Sequence, residues 1–193
     1  HDPDWLKRTQ IMQVAIEMAA AEGVRGASLR KIAARLKMRT ASLYSYFPGG
    51  KDELVSTALA AELTGFYRMA ATALRPTEGA AENVRRLVYS HVLWTLDNPQ
   101  VASAALVLER THAIPPLMAE QTEARIRELH NFYRSLLETL LTDVGIEAAD
   151  LRQMTELLIV VCDNSDIWVS ATRDLAESQG LAWQVIRRLL ALP

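Results

Sequence analysis

Apolar residues recur at helical intervals along almost the whole chain. Trp5, Ile11, Val14, Ala15, Met18 and Ala19 fall at spacings of three, four and seven, with Lys7, Arg8, Gln10, Gln13 and Glu17 between them. Residues 4–22 therefore read as an amphipathic helix, and Gly23 stops it. Ser28 is a good N-cap for a second helix over 28–36, with Leu29, Ile32, Ala33 and Leu36 as its buried positions. A short helix over 40–46 follows, ended by Pro48-Gly49-Gly50. A long helix is expected from Asp52 to Leu74, then a loop over Arg75–Gly79 and a helix that reaches Asn98 just before Pro99. The pattern continues with a helix over 100–110, a break at Ile114-Pro115-Pro116, and two long helices over 117–143 and 148–173 divided at Val144-Gly145-Ile146. A last amphipathic helix over 178–191 carries Trp183, Ile186, Leu189 and Leu190 on one side. Nine helices and no alternating pattern of the strand kind make the expected class all-α.

Composition adds bounds to this pattern. Half of the 193 residues are hydrophobic, enough to bury a sizeable core. Cys162 is the single cysteine, so no intramolecular disulfide ties the chain to an oxidising compartment. The longest apolar run, Leu157 to Cys162, is far short of the ~18–20 residues of a membrane helix. The polar start His1-Asp2-Pro3-Asp4 shows no signal peptide, and the expected setting is the cytoplasm. The charge is uneven. Residues 1–51 hold nine Lys or Arg against four acids, whereas the remainder holds twelve against nineteen. A basic segment beside an acidic one points to a polyanion as partner of the first.

The helices at 28–36 and 40–46 lie in that basic segment and are three residues apart, the spacing of a helix-turn-helix. Leu43 and Phe47, four apart, supply a packing face on the second helix. Thr40, Ala41, Ser42, Tyr44, Ser45 and Tyr46 then form an open face of small or hydrogen-bonding groups. Hydroxyls reach phosphates or base edges, and the Ala41 methyl suits a thymine methyl. Lys51, opening the next helix, is positioned to meet the flanking phosphate. Spacing alone also fits an ordinary helical hairpin with solvated hydroxyls.

The residues narrow this. The stretch Ser28-Leu-Arg-Lys-Ile-Ala-Ala-Arg-Leu-Lys-Met-Arg-Thr-Ala-Ser-Leu-Tyr-Ser-Tyr-Phe47, followed by Pro-Gly-Gly-Lys-Asp-Glu-Leu54, resembles the DNA-binding signature of the TetR family. The Ile32-Ala33 pair, Leu43-Tyr44, Tyr46-Phe47, the Lys opening the next helix, Ala15 and Gly23 all match, over about residues 8–55. The resemblance implies a TetR-like nine-helix fold: a helix-turn-helix domain over 1–50 and a ligand-binding and dimerisation domain over 51–193. It implies a homodimeric regulator on a double-stranded operator, most simply a repressor released by a small-molecule effector. Position by position, Arg30 matches a base-contacting site and Thr40, Ala41 and Ser42 match the positions that read sequence. Tyr44, Ser45, Tyr46 and Lys51 match contacts to phosphates or adjacent bases, and Tyr44 also fits a structural role. Lys37 stands where the family has Gly, which demands an unusual backbone angle or an altered turn at about 1 kcal/mol. Arg39, also counted among the DNA contacts, stands where the family caps the helix with Ser or Thr, so the cap is expected to move to Thr40. The loop Pro48-Gly49-Gly50 is one residue longer than the commonest form.

The rest of the chain carries weaker signals. A single recognition helix gives little affinity, so such proteins pair. The last two helices are the candidates for the seam, through Trp168, Val169, Trp183, Ile186 and Leu190. Those residues fit the chain's own core as well. An apolar helix that runs into Asp163-Asn164-Ser165-Asp166 needs partners for its carboxylates. Asp163 and Asp166, one turn apart, face a cationic or hydroxyl-bearing ligand, or Arg125, Arg127 or Arg134, or the dimer rim. Tyr89, His91, Trp94, Met118, Phe132 and Tyr133 are further ligand candidates, apolar bodies with polar tips, and ordinary core positions by the alternative reading. The histidines at 1, 91, 112 and 130 have no close metal-ligand spacing, and no nucleophile elbow or phosphate loop is present. No enzyme, metal or cofactor is expected. A regulator without a small effector, controlled by a protein partner or constitutive, and a helical interaction module with a degenerate helix-turn-helix remain as competing readings.

Overall fold

The computed structural model describes residues 3–99, 101–102, 120–168 and 174–191, and every element among them is helical. In chain order these are α1 (Pro3–Gly26), α2 (Leu29–Arg35), α3 (Thr40–Tyr46), α4 (Gly50–Ala73), α5 (Ala80–Asp97), α6 (Glu120–Asp143), α7 (Ala148–Asp163), α8 (Ser165–Trp168) and α9 (Leu175–Leu189). Of the expected 100–110 helix only residues 101 and 102 are described, and they are helical. The Pro115-Pro116 break, Met118 and Val169 lie outside the described residues. None of the helices described is long and apolar enough to cross a membrane.

The ends of the helices follow local chemistry. Gly23 leaves the helical region with φ 73° and ψ 158°, a bend inside α1 where the sequence pattern stops the helix. Ser28 caps α2 by accepting the Lys31 N–H at 3.3 Å. The exit from α2 is a Schellman turn: the Met38 N–H reaches Ala33 O at 2.8 Å, the Lys37 N–H reaches Ala34 O at 3.1 Å, and Lys37 takes φ 54°. The altered residue thus keeps the turn and adopts the left-handed angle that glycine normally fills. The same pair of bonds closes α6, from Ile146 to Leu141 and from Gly145 to Thr142, and there a glycine takes φ 95°.

Two boundaries differ from the periodic pattern. The 148–173 helix is interrupted at Asn164, which has φ −103° and ψ 20°. Its side-chain amide donates to Val160 O at 2.7 Å, competing with the helical bonds of that turn. The last helix begins at Leu175 and not at 178, because the Asp174 carboxylate accepts the Glu177 N–H at 2.7 Å and caps it there.

The chain divides into two compact units, residues 1–63 with 100–127 and residues 64–99 with 128–193. The first has a core of Ile11, Ala15, Ile32, Ala33, Leu43 and Phe47, joined by Leu54 and Val55 of α4, which is why this division falls later than residue 50. In the second, α5 packs on α7, α8 and α9. Val84, Leu87, Val88 and Val92 of α5, Leu158 and Cys162 of α7 and Ile186 of α9 are all fully buried there. Each such aliphatic side chain contributes about 1.5–3 kcal/mol through burial. Asn83 closes the α4–α5 loop, taking the Arg75 N–H at 2.8 Å and donating to Arg75 O and Glu78 O.

Candidate nucleic-acid interface

In the first unit, α3 turns one face inward and leaves the other open. Leu43 and Phe47 are fully buried, as the four-residue spacing requires. Ala41, Tyr44 and Ser45 are exposed, Tyr44 by 51%, while Thr40, Ser42 and Tyr46 are half-buried. The cap does not move to Thr40: Arg39 is the N-cap, without a side-chain cap bond, and Thr40 is the first helical residue. The Ser42 N–H instead reaches Arg39 O at 2.9 Å. Lys51 is the second residue of α4 and half-buried. The Gly49 N–H donates to the Glu53 carboxylate at 2.6 Å, which fixes the longer loop onto the first turn of α4. Gly50, at φ 78°, donates its N–H to Phe47 O at 2.9 Å.

The basic residues of this unit divide by partner. Lys31 pairs with Glu22 and Arg35 with Glu17, so two of the positive charges on α2 are answered by α1. Arg30 on α2, and Lys37 and Arg39 in the turn before α3, are exposed. Arg8 donates to Tyr46 O at 2.5 Å and lays its guanidinium 4.2 Å from the centre of the Phe47 ring. Tyr46 also meets Asp4 through its hydroxyl, at 3.4 Å. Asp4, Trp5, Arg8, Ser42, Ser45 and Tyr46 line one open groove. The sequence pattern sets Trp5 on the apolar face of α1, where the structure leaves it 57% exposed, and it points to none of Asp4, Trp5 and Arg8 as neighbours of α3, because they lie about forty residues from it and no short-range pattern reports that distance.

The second unit holds a buried polar cluster. His91 is 2% exposed, with one ring nitrogen 3.0 Å from the Tyr133 hydroxyl and the other 2.8 Å from the Asp163 carboxylate. Burial pushes the Tyr133 phenol well above its ordinary range, so its proton stays on the oxygen. Phe66 stacks 4.7 Å from the His91 ring, 4.8 Å from Trp94 and 5.2 Å from Tyr133. Beside them the Cys162 thiol is fully buried and desolvation raises its pKa as well.

Of the ligand candidates, the fold thus gathers His91, Trp94, Tyr133 and Asp163. Phe132 is 51% exposed, and Tyr89 is half-buried under the Arg85 guanidinium at 4.9 Å. Asp166 is exposed in α8, separated from Asp163 by the Asn164 break, so the two acids do not share a helical face. The partner of Asp163 is a histidine and not Arg134, which pairs with Glu156.

The seam candidates are redistributed too. Ile186 and Leu190 are buried within their own unit, because α9 turns them toward that core. Trp183 is half-buried, and Trp168 donates its indole N–H to Val161 O at 3.0 Å. The apolar run 157–162 is not covered all round. Leu157 and Val160 of α7, Ile167 of α8 and Leu175, Val185 and Leu189 of α9 stand exposed, Ile167 by 77%.

Comparison with known proteins agrees with these observations. The family profile described as bacterial regulatory proteins of the tetR family matches residues 11–58. Over 50 residues the chain is 44% identical to the HTH-type transcriptional repressor DrrR1 of Streptomyces coeruleorubidus, a stretch that is 26% of this chain and 18% of that repressor. Among solved structures, a tetR-family regulatory protein from Rhodococcus RHA1 superposes with a TM-score of 0.79 at 18% identity, over 96% of this chain and 95% of its own. KstR2, a ketosteroid transcriptional regulator of Mycobacterium tuberculosis, gives 0.77 at 18%, over 96% and 93%. AibR, solved with isovaleryl coenzyme A and operator DNA, gives 0.78 at 17%, over 96% and 100%. These structural likenesses establish the fold.

Proposed function

We propose, from the match of residues 11–58 to the profile of bacterial regulatory proteins of the tetR family, that the chain is a DNA-binding transcriptional regulator of that kind, a repressor released from its operator by a small-molecule effector. The observation that carries this is the two-sided character of α3. Leu43 and Phe47 hold the helix from below, while Ala41, Tyr44 and Ser45 stand exposed, as do Arg30, Lys37 and Arg39 of the same unit. Hydroxyls and methyls of that kind read base edges, and the flanking cations meet phosphates. Residues 1–50 are the DNA-binding domain in this reading, and 51–193 serve effector binding and pairing. Operator access sets the location in the cytoplasm.

The exposed apolar residues of α7, α8 and α9 support a homodimer, since a second copy would cover them. Light scattering on the purified protein at micromolar concentration is expected to give twice the chain mass, and a monomer would sink the pairing. DNA binding is tested with the duplex upstream of the gene across a salt series. Affinity is expected to fall steeply with salt and to weaken on Lys51→Ala. An affinity indifferent to both removes the phosphate contacts.

The effector is assigned to the second unit, where His91, Tyr133 and Asp163 form a polar point among Phe66 and Trp94. One observation favours a second reading, a regulator governed by a protein partner or acting constitutively: the rings around His91 already fill one another's faces at 4.7–5.2 Å. Native mass spectrometry decides between them. A co-purified small molecule supports the effector, and a bare chain mass in every preparation supports the alternative.

A further inference from the structure

The groove between the first turn of α1 and α3 goes beyond the helix-turn-helix. Its walls are Trp5 and Arg8 on one side and Ser42, Ser45 and Tyr46 on the other, with Asp4 in the lining. Ser42 and Ser45 are one turn apart on α3 and bring two hydroxyls to the same opening. Trp5 is 57% exposed, so the core does not explain its presence. An indole with a free edge brings an apolar plate and one N–H donor. Arg8 holds the end of α3 through Tyr46 O and the Phe47 ring, and this keeps the wall in register with the open face of the recognition helix. The groove is therefore continuous with that face and carries the donors and the cation that suit a phosphodiester.

We propose that the groove seats a backbone phosphate of the bound duplex, with the Trp5 indole N–H and the Ser42 and Ser45 hydroxyls as donors, Arg8 as the cation, and α1 as a second contact element. The inference rests on the DNA-binding reading given above. Asp4 is the one acid in the lining, and its carboxylate is tied to the Tyr46 hydroxyl at 3.4 Å. It opposes a phosphate there and limits the affinity of the site, which makes it a reporter of what enters.

The experiment starts with selection of a duplex from a random pool by the full wild-type chain, followed by fluorescence anisotropy on that duplex over a salt series. Trp5→Ala is expected to weaken binding roughly three- to tenfold, the loss of one hydrogen bond and its contact, without changing the salt slope. Asp4→Asn is expected to tighten binding and to steepen the slope by up to about one, because it removes a charge that repels the phosphate. Asp150→Asn, an equal change of net charge on an exposed residue of the second unit, is the control. Unchanged affinity for both Trp5→Ala and Asp4→Asn, with circular dichroism as in the wild type, overturns the phosphate seat while DNA binding stands. An Asp150→Asn effect equal to that of Asp4→Asn also overturns it, since bulk charge then explains the gain. If selection with the wild type returns no duplex, the DNA-binding reading itself fails and the seat fails with it.

Discussion

Helix α3 and the middle of α5 carry much the same kinds of group, a tyrosine or histidine ring and nearby polar atoms, and the two units treat them in opposite ways. On α3 the Tyr44 ring and the Ser45 hydroxyl stand largely in solvent, and the helix is held from beneath by Leu43 and Phe47 and at its end by Arg8. Around α5, His91 and the Tyr133 hydroxyl are removed from water, and each polar atom of the His91 ring has a protein partner. A solvated hydroxyl costs nothing to keep and remains available to another molecule. A desolvated one must be satisfied internally, and it then serves stability or waits for a ligand able to replace its partner. The difference between the two regions lies in their water, more than in their residue types.

That contrast is open to direct attack. The largest expected effect is at the support beneath the open face: Phe47→Ala is expected to lose about 3–5 kcal/mol in urea unfolding, together with duplex binding. A loss near zero would mean that the recognition helix is held elsewhere. In the buried cluster, Tyr133→Phe leaves the Nδ1 atom of His91 without a partner and is expected to cost about 1–3 kcal/mol by the same measurement. The cluster also predicts alkaline lability. Burial raises the proton affinity of Tyr133 and Cys162 in the folded state, so the folded chain holds these protons longer than the unfolded one. Their contribution is whole below the ordinary values of 9.0 for the thiol and 10.0 for the phenol, and is lost as pH rises above them. Each group gives a slope of up to about 1.4 kcal/mol per pH unit. Urea midpoints from pH 8 to 11 are expected to fall, less steeply for Cys162→Ala, and an equal fall in that variant would clear the thiol. A smaller effect is expected at the turn. Lys37→Gly relieves a left-handed angle and is expected to raise stability by about 1 kcal/mol. A loss there would reveal a compensating contact of the lysine. The smallest is Tyr44→Phe, expected to stay within about 0.5 kcal/mol of wild type in urea while still weakening the duplex. A stability loss as large as that of Tyr133→Phe would erase the distinction between the two regions.

The helix-turn-helix was legible because its information is local. Ser28 announces a cap, Ile32 and Ala33 announce a face, and Leu43 with Phe47 sets the inward side of the next helix. Even the departure at Lys37 was readable, since its position between two helices leaves it only a few backbone angles. The Asn164 break was written in the run Asp163-Asn164-Ser165-Asp166, whose side chains compete for backbone groups, but the apolar residues before it spoke for a continuous helix. The His91–Asp163 bond spans 72 residues and the Arg8–Tyr46 bond 38, distances over which periodicity carries no signal. Which apolar residues of α7 and α9 turn inward depends on the packing of whole helices. Ile186 and Val185 are adjacent and equally greasy, yet one is buried and the other 41% exposed.

The exposed Leu157, Val160 and Ile167 bear on how sturdy the protein is through the pairing proposed to cover them. In a pair, the fold and its partner share one equilibrium, so heat tolerance becomes a function of dose. Each tenfold dilution withdraws about 1.4 kcal/mol from the association, and the melting temperature slides down with it. With the proposed pairing, a cell that makes few copies of this chain would keep each copy nearer to unfolding than a concentrated sample suggests.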